Sequence, residues 1–107
     1  MGIEANKSPH TLSESFKEAL RKKDTRLLII LYSEGVWDII IAEGSERLIL
    51  SDTTKMIVRK SEYVDAATIG IKANKSAADI DRRLVQKLRK GGELYVVMIV
   101  YSGSISP

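Results

Sequence analysis

The residues best suited to chemistry in this sequence lie in a three-residue turn that occurs twice. Asn6-Lys7-Ser8 and Asn74-Lys75-Ser76 each follow a short β-favouring run and precede apolar residues at helical spacing. The first turn of a helix presents free backbone N–H groups and the positive end of the helix dipole, and a lysine adds a full charge beside them. The pattern therefore predicts that these turns bind the phosphate or carboxylate group of a small ligand.

The same residue types also have a purely structural interpretation. Serine is a preferred N-cap, asparagine shapes turns, and an exposed lysine needs no ligand. Arg59 and Lys60 supply further positive charge, and we include them in the candidate ligand site. Neither a G-x-G-x-x-G loop nor a Walker sequence occurs, so the glycine-rich phosphate loops of the common nucleotide-binding folds are absent from the sequence.

Clusters of basic residues raise nucleic-acid binding as the alternative. They lie at residues 21–23 with Arg26, at residues 59–60, and along residues 82–90. Cations near a helix C-terminus already complement the helix dipole and need no ligand. Bases would also have to stack on aromatic side chains of a basic face. Trp37 instead alternates with Ile39 and Ile41, which favours a role in core or interface packing.

Candidates for catalysis are few. The sequence has no cysteine and one histidine, which excludes Cys/His zinc sites and thiol chemistry. His10 follows Pro9, and no Ser or Asp near it has the spacing of a catalytic triad. Asp38 interrupts an apolar run, which predicts either an outward-facing carboxylate or a buried one with a raised pKa. We predict no catalytic residue, no metal and no cofactor, which favours a binding protein over an enzyme.

The elements that position these residues fit within one domain. The chain has 107 residues, of which 44% are hydrophobic and 29% charged, with a net charge of +3. A domain of this size buries enough surface to fold without a disulfide or a structural metal. No apolar run approaches the roughly 20 residues of a membrane helix, and no signal-peptide pattern is present. We therefore expect a cytoplasmic protein with no membrane partner.

An internal repeat organises the chain. Residues 2–22 align with residues 70–90 at an offset of 68, and nine of the 21 aligned pairs are identical. Each copy predicts a strand, a helix and a second strand. Ser8 and Ser76 are the predicted N-caps, Pro9 takes the first helical position, and Asp79 completes a capping box.

A β-rich run follows each predicted helix, at residues 26–32 and 94–101, so that each copy resembles a β-α-β crossover. Between the copies, residues 36–42, 47–50 and 56–60 predict a meander. The apolar blocks at residues 27–31 and 96–100 are nearly continuous, which predicts central strands covered on both faces.

The fold class that follows is α+β. We predict two pseudo-repeated β-α-β units joined by a β-meander, with two helices on one curved or barrel-like sheet. The single domain spans residues 1–101, with repeat units at residues 1–33 and 69–101, and residues 102–107 form a flexible tail.

Two segments carry a resemblance to a known family. Residues 50–65, LSDTTKMIVRKSEYVD, and residues 69–80, IGIKANKSAADI, together with the helix that follows them, resemble an archaeal family known as domain of unknown function 371. The resemblance covers nearly the whole chain and implies an archaeal source, with no catalytic residue to carry over. Members usually begin with a further segment bearing a histidine and paired threonines, and usually have arginine where this chain has Ala67.

The repeat also predicts a missing strand. Residues 53–68 precede Gly70, whereas only Met1 precedes Gly2. A sheet that lacks one strand has unpaired N–H and C=O groups along an edge, so we expect either a homo-oligomer formed through that edge or a frayed N-terminus.

The sequence as a whole predicts a non-enzymatic binding module for a small anionic or nucleotide-like ligand. The alternative is a nucleic-acid-binding module.

Overall fold

The protein is built from two small sheets and two helices, as far as the described residues show. The computed structural model describes residues 2–3, 12–52 and 55–102. The predicted α+β class is confirmed. In chain order the elements are β1 (Gly2–Ile3), α1 (Glu14–Leu20), β2 (Thr25–Ser33), β3 (Val36–Glu43), β4 (Met56–Val58), β5 (Thr68–Gly70), a 3-10 turn (Ala77–Asp79), α2 (Arg82–Arg89) and β6 (Tyr95–Ser102).

β2 is the central strand of an antiparallel sheet with the order β3-β2-β6. Successive side chains of a strand point to opposite faces, so alternate residues of β2 share one face. On the inner face Leu27, Ile29 and Leu31 are buried, and the register places Ile29 between Ile40 of β3 and Met98 of β6. This face forms one side of the hydrophobic core.

The opposite face of the same sheet is apolar and largely uncovered. The prediction that both faces are covered is wrong. The buried residues of the helices and of the second sheet pack on the inner face, and on the opposite face Ile39, Val97 and Ile99 are exposed. We call the uncovered side the outer face. It consists of Leu28, Ile30, Tyr32, Trp37, Ile39, Ile41, Tyr95, Val97, Ile99 and Tyr101.

The second sheet has the order β1-β4-β5, in which β4 runs antiparallel to β1 and parallel to β5. Main-chain hydrogen bonds between Glu43 and Ile71, of 2.8 and 2.9 Å, join it to the end of β3. The predicted curved or barrel-like sheet is therefore wrong, since the strands form two sheets and no closed barrel among the described residues. β4 and β5 have only three residues each, too few to continue the ladder of the longer sheet.

The helices connect one sheet to the other. The units β1-α1-β2 and β5-α2-β6 each begin in the second sheet and end in the first. The predicted β-α-β crossovers, which would return to the same sheet, are therefore wrong. The predicted meander is correct only for the β2–β3 hairpin, because residues 47–50 form no strand and β4 joins the other sheet.

Each helix begins later than predicted. The N-caps are Ser13 and Asp81, rather than Ser8 and Ser76. Ser8 and Pro9 themselves lie outside the described residues. The two observed N-caps are 68 positions apart (81 minus 13), which is the offset of the sequence repeat. β1 and β5 nevertheless run in opposite directions beside β4, and the internal repeat stays a prediction.

The core lies between the inner face, the helices and the second sheet. Leu20 of α1 and Leu84 of α2 are completely buried and pack with Ile29, Ile40 and Ile69. None of the helices formed by the described residues has the length and apolar character needed to cross a membrane. The single-domain boundaries stay a prediction.

Candidate functional site: a charged cleft where the two sheets meet

An open cleft of about 680 Å³ lies where the end of β3 meets the segment after β5. Its volume is within the roughly 300–1,000 Å³ typical of small-molecule sites. The wall residues come from the turn after α1, the loop after β3, the loop between β4 and β5, and the residues that follow β5. They are Lys23, Asp24, Glu43, Gly44, Ser45, Glu46, Arg47, Glu62, Ile71 and Lys72.

Main-chain hydrogen bonds fix the loop that forms one wall of the cleft. The N–H of Gly44 donates to the carbonyl of Thr25 at 3.0 Å, and the N–H of Ser45 donates to the carbonyl of Leu20 at 2.9 Å. A Cβ at position 44 would collide with the Leu20 carbonyl oxygen and the Thr25 hydroxyl. Glycine is therefore required at this position, because the loop lies directly against the end of α1 and the start of β2.

Two cleft residues have left-handed backbone conformations. Asp24 has a φ of 62° and Lys72 a φ of 50°, a region that residues other than glycine rarely occupy. Such conformations cost on the order of 1–3 kcal/mol and occur preferentially at binding and catalytic sites. The N–H of Lys72 donates to the carbonyl of Ser61 at 3.0 Å, which helps to hold this conformation.

The cleft carries charges of both signs. Nζ of Lys72 lies 3.2 Å from Oε1 of Glu62, and the Arg47 guanidinium donates to the Glu62 carbonyl at 2.6 Å. The hydrogen bond and charge of Glu62, with the charge of Glu43, raise the pKa of Lys72. Lys23 makes no ion pair with any residue that the structure describes.

This arrangement offers cations for an anionic group and carboxylates for hydroxyl or amino donors. Asp24 and Glu46 are exposed and accept no hydrogen bond from another described residue. No group of His, Cys, Asp or Glu that could hold a metal ion exists among residues 2–3, 12–52 and 55–102. The wall of the cleft has three cationic side chains, of Lys23, Arg47 and Lys72, and four carboxylates, of Asp24, Glu43, Glu46 and Glu62.

The structure describes the second of the two Asn-Lys-Ser turns. Asn6, Lys7 and Ser8 lie outside the described residues. Asn74 binds the edge of β3, where its N–H donates to the Ile41 carbonyl at 3.0 Å and its side-chain oxygen accepts from the Ile41 N–H at 2.9 Å. Lys75 forms an ion pair with Asp38. These two side chains of the second turn therefore join the turn to β3.

The position predicted for an anion in the second turn is filled by Asp79. Its Oδ2 accepts from the Ser76 N–H at 2.9 Å and from the Ser76 hydroxyl at 3.1 Å, and it lies 3.5 Å from Nζ of Lys60. These contacts, the backbone hydrogen bond first, lower the pKa of Asp79. The structure thus brings Lys60 and Ser76 together, but around a carboxylate of the chain itself.

Arg59 is directed away from that turn. Its guanidinium lies 2.8 Å from Asp65, donates to the Thr68 hydroxyl at 3.3 Å and lies over the Tyr63 ring. Burial alone would raise the pKa of Asp65, but hydrogen bonds from Thr68, from the Ala67 N–H and from Arg59 outweigh it and lower the pKa. Arg59 therefore supports the loop between β4 and β5.

Asp38 differs from both of its predicted forms. It faces inward and is buried, so the outward-facing prediction is wrong. Burial would raise its pKa, but Lys75 and the N–H groups of Asp81 and Ile39 outweigh that effect and lower it. The predicted raised pKa is therefore also wrong. A single carboxylate within an apolar strand marked Asp38 as unusual in the sequence. The sequence did not show that Lys75 and the N–H group of Asp81 are its partners.

Two of the three most exposed aromatic side chains, Trp37 and Tyr95, lie at one end of the outer face, and the third, Tyr63, lies in the loop between β4 and β5. Trp37 is 61% exposed, so core packing is wrong for this residue, and its ring is tilted against that of Tyr32, with the ring centroids 4.6 Å apart. Tyr32 in turn lies 6.1 Å from Tyr95. The residues around Trp37 and Tyr95 are apolar or acidic, which does not favour base stacking there. Tyr63 has a basic neighbour, Arg59, which lies 4.7 Å from its ring. His10 lies outside the described residues.

Comparison with known proteins places the chain in a family. The model of the domain of unknown function 371 (DUF371) matches residues 1–101. The chain belongs to the DUF371 family. A relative from Methanocaldococcus jannaschii, the uncharacterized protein MJ0206, is 46% identical over 100 residues, which are 94% of this chain and 73% of the relative. The archaeal resemblance is therefore confirmed.

Proposed function

We propose that this DUF371 protein is a binding module for a small ligand that combines an anionic group with hydroxyl or amino donors, as sugar phosphates and nucleotides do. The charged cleft is the proposed site. The observation that carries the proposal is that Lys23, which has no ion-pair partner among the described residues, lies on the same wall as the exposed carboxylate of Asp24, whose backbone has a left-handed conformation.

The chemistry of the cleft supports a role for each charged group. Within the described residues Lys23 has no ion-pair partner and can pair with a phosphate or carboxylate. The Arg47 guanidinium has N–H donors beyond the one that binds the Glu62 carbonyl. Asp24 and Glu46 accept hydrogen bonds from hydroxyl groups. The second Asn-Lys-Ser turn is a weaker candidate, because Asp79 already occupies its donors.

Ligand-dependent thermal unfolding tests this proposal. We expect a sugar phosphate and a nucleoside monophosphate to raise the melting temperature, and inorganic phosphate to raise it less. A ligand at 100 times its Kd stabilises the folded state by about 2.7 kcal/mol, which is roughly 10 °C or more for a domain of this size.

Paired lysine variants locate the site. Lys23→Gln should weaken binding about 10- to 100-fold, because a charge-assisted hydrogen bond contributes roughly 1.5–3 kcal/mol. Lys22→Gln, an exposed neighbour outside the cleft, should leave affinity unchanged. A loss with Lys60→Gln but not with Lys23→Gln would move the site to the second turn. No stabilisation by any of these ligands, or equal effects of Lys22→Gln and Lys23→Gln, would refute the proposal.

Binding of an oligonucleotide, measured as a function of salt concentration, tests the alternative function. An oligonucleotide that binds at low salt and is released steeply as salt rises would support the alternative function, because phosphate contacts release counterions.

A further inference from the structure

The outer face is an exposed apolar surface apart from the charged cleft. Five of its side chains, on the two outer strands β3 and β6, are 44–61% exposed: Trp37, Ile39, Tyr95, Val97 and Ile99. The outer-face residues of β2, between them, are half-buried. Taking about 150–250 Å² for a whole large side chain, the face presents on the order of 600 Å² of apolar surface. Monomeric proteins rarely expose more in one patch.

This area is close to what one partner contributes to a specific interface. Two such faces packed together would bury on the order of 1,200 Å², the lower end of the roughly 1,200–2,000 Å² found in stable complexes. Stacked sheets pack with their strands within about 30° of each other, so a three-stranded apolar face can pack on a copy of itself.

We propose that a second copy of this chain docks on the outer face, with the two β2 strands crossing in opposite directions. The two-fold axis lies in the contact plane, perpendicular to β2. Leu28 and Ile30, near the middle of β2, then pack against Ile30 and Leu28 of the second copy. The interface is self-complementary, as two-fold dimer interfaces are.

The charges at the two ends of the face select this orientation. At one end Tyr32, Glu34, Glu93 and Tyr95 line a small open cleft of about 420 Å³ with aromatic walls. Glu34 lies 3.9 Å from Nζ of Lys87, so Glu93 is the lining carboxylate that has no ion-pair partner among the described residues. At the other end Arg26 is exposed. Glu43 is its neighbour across the β2–β3 pair, but Arg26 makes no ion pair with it or with any other described residue. Arg26 and Tyr32 are six residues apart, about 20 Å along a strand.

Antiparallel stacking places Arg26 of each copy over the acidic cleft of the other. A guanidinium binds carboxylates and also the faces of aromatic rings, so it matches both components of that cleft. Glu93 already accepts from the Tyr95 hydroxyl at 2.8 Å and has a further oxygen for this contact. Parallel stacking would instead place the Arg26 side chains of the two copies against each other and leave Glu93 without a guanidinium.

The mass in solution tests the dimer directly. Sedimentation equilibrium should give twice the 11.9 kDa chain mass at high concentration and a single-chain mass on dilution. Trp37 is the only tryptophan of the chain, so its emission should shift to longer wavelength over the same dilution range. A single-chain mass at every concentration would overturn the proposal.

Substitutions test the surface and its orientation. Val97→Lys should give a monomer, whereas Ile49→Lys, which replaces a 50% exposed residue away from the outer face, should leave the dimer intact. Arg26→Glu and Glu93→Lys should each weaken the dimer about tenfold or more, and the double variant should regain most of the lost affinity.

Circular dichroism on each variant establishes that it is folded. A dimer that survives Val97→Lys uses another surface, such as an open sheet edge, and overturns the proposal. Failure of the double variant to regain affinity overturns the antiparallel orientation.

Discussion

At the scale of single residues, Asp38 links β3 to the segment that leads into α2. Its carboxylate pairs with Lys75 and accepts from the N–H groups of Ile39 at 2.8 Å and Asp81 at 2.7 Å. A carboxylate in an apolar strand would be unfavourable without these partners, since a buried charge must be paired and hydrogen-bonded. The same contacts use the Lys75 charge that the sequence assigned to a ligand.

Asp38→Asn should therefore destabilise the fold by about 1–3 kcal/mol, because the amide cannot accept from all three donors and leaves Lys75 unpaired. Urea unfolding measures the loss. Asp24→Asn is the matched control: Asp24 is exposed and asparagine also tolerates a left-handed conformation, so the change should be within about 0.5 kcal/mol. Equal stabilities of the two variants would contradict the structural role given to Asp38.

At the scale of elements, the two helices have N-caps of different chemistry. The Ser13 hydroxyl accepts from the Phe16 N–H at 3.2 Å, and the Asp81 carboxylate accepts from the Arg83 N–H at 2.8 Å. The Arg83 side chain and N–H lower the pKa of Asp81 to about 2. The first cap does not titrate, whereas the second does.

Ser13→Ala should destabilise the protein by about 1 kcal/mol at pH 7 and at pH 3 alike, as a lost serine cap does. Asp81→Ala should destabilise it at pH 7, but the difference from the parent should shrink on acidification. The folded-state pKa of Asp81 is below its unfolded value of about 3.9, so its stabilisation is complete above that value and is lost as pH falls towards 2. Melting temperatures of both variants between pH 7 and pH 2 measure this; a constant Asp81→Ala difference would be inconsistent with the cap.

At the scale of the whole molecule, the joint between the two sheets also forms the wall of the charged cleft. The Glu43–Ile71 bridge is followed at once by Gly44, which lies against the Leu20 carbonyl and Thr25. α1, β2, β3 and the second sheet therefore meet at one point. A change at this joint affects both the stability of the fold and the shape of the cleft.

Gly44→Ala should destabilise the protein by about 2–3 kcal/mol or more, because a methyl group there collides with backbone that cannot easily move. Thermal unfolding measures the loss. Glu46→Ala, in the same loop but exposed, should change stability by less than about 0.5 kcal/mol. An unchanged melting temperature for Gly44→Ala would show that the loop does not pack as described.

Sequence patterns determined the features that depend on nearby residues. The α+β class, the long strands at residues 26–32 and 94–101 and the β2–β3 hairpin follow from periodicity and turn residues, which local backbone geometry governs. The helix starts were less accessible, because Ser8 and Ser13, or Ser76 and Asp81, are all good N-cap residues and local preference cannot choose between them.

Only the tertiary structure decided which partner each charge has and which sheet face is covered. Lys75 and Asp38 are 37 positions apart, and Asn74 and Ile41 are 33 apart, so no local pattern records these contacts. The apolar runs of β2 and β6 are equally compatible with one covered face or two. Burial depends on what packs against a strand, and that depends on how distant segments are brought together in the folded chain.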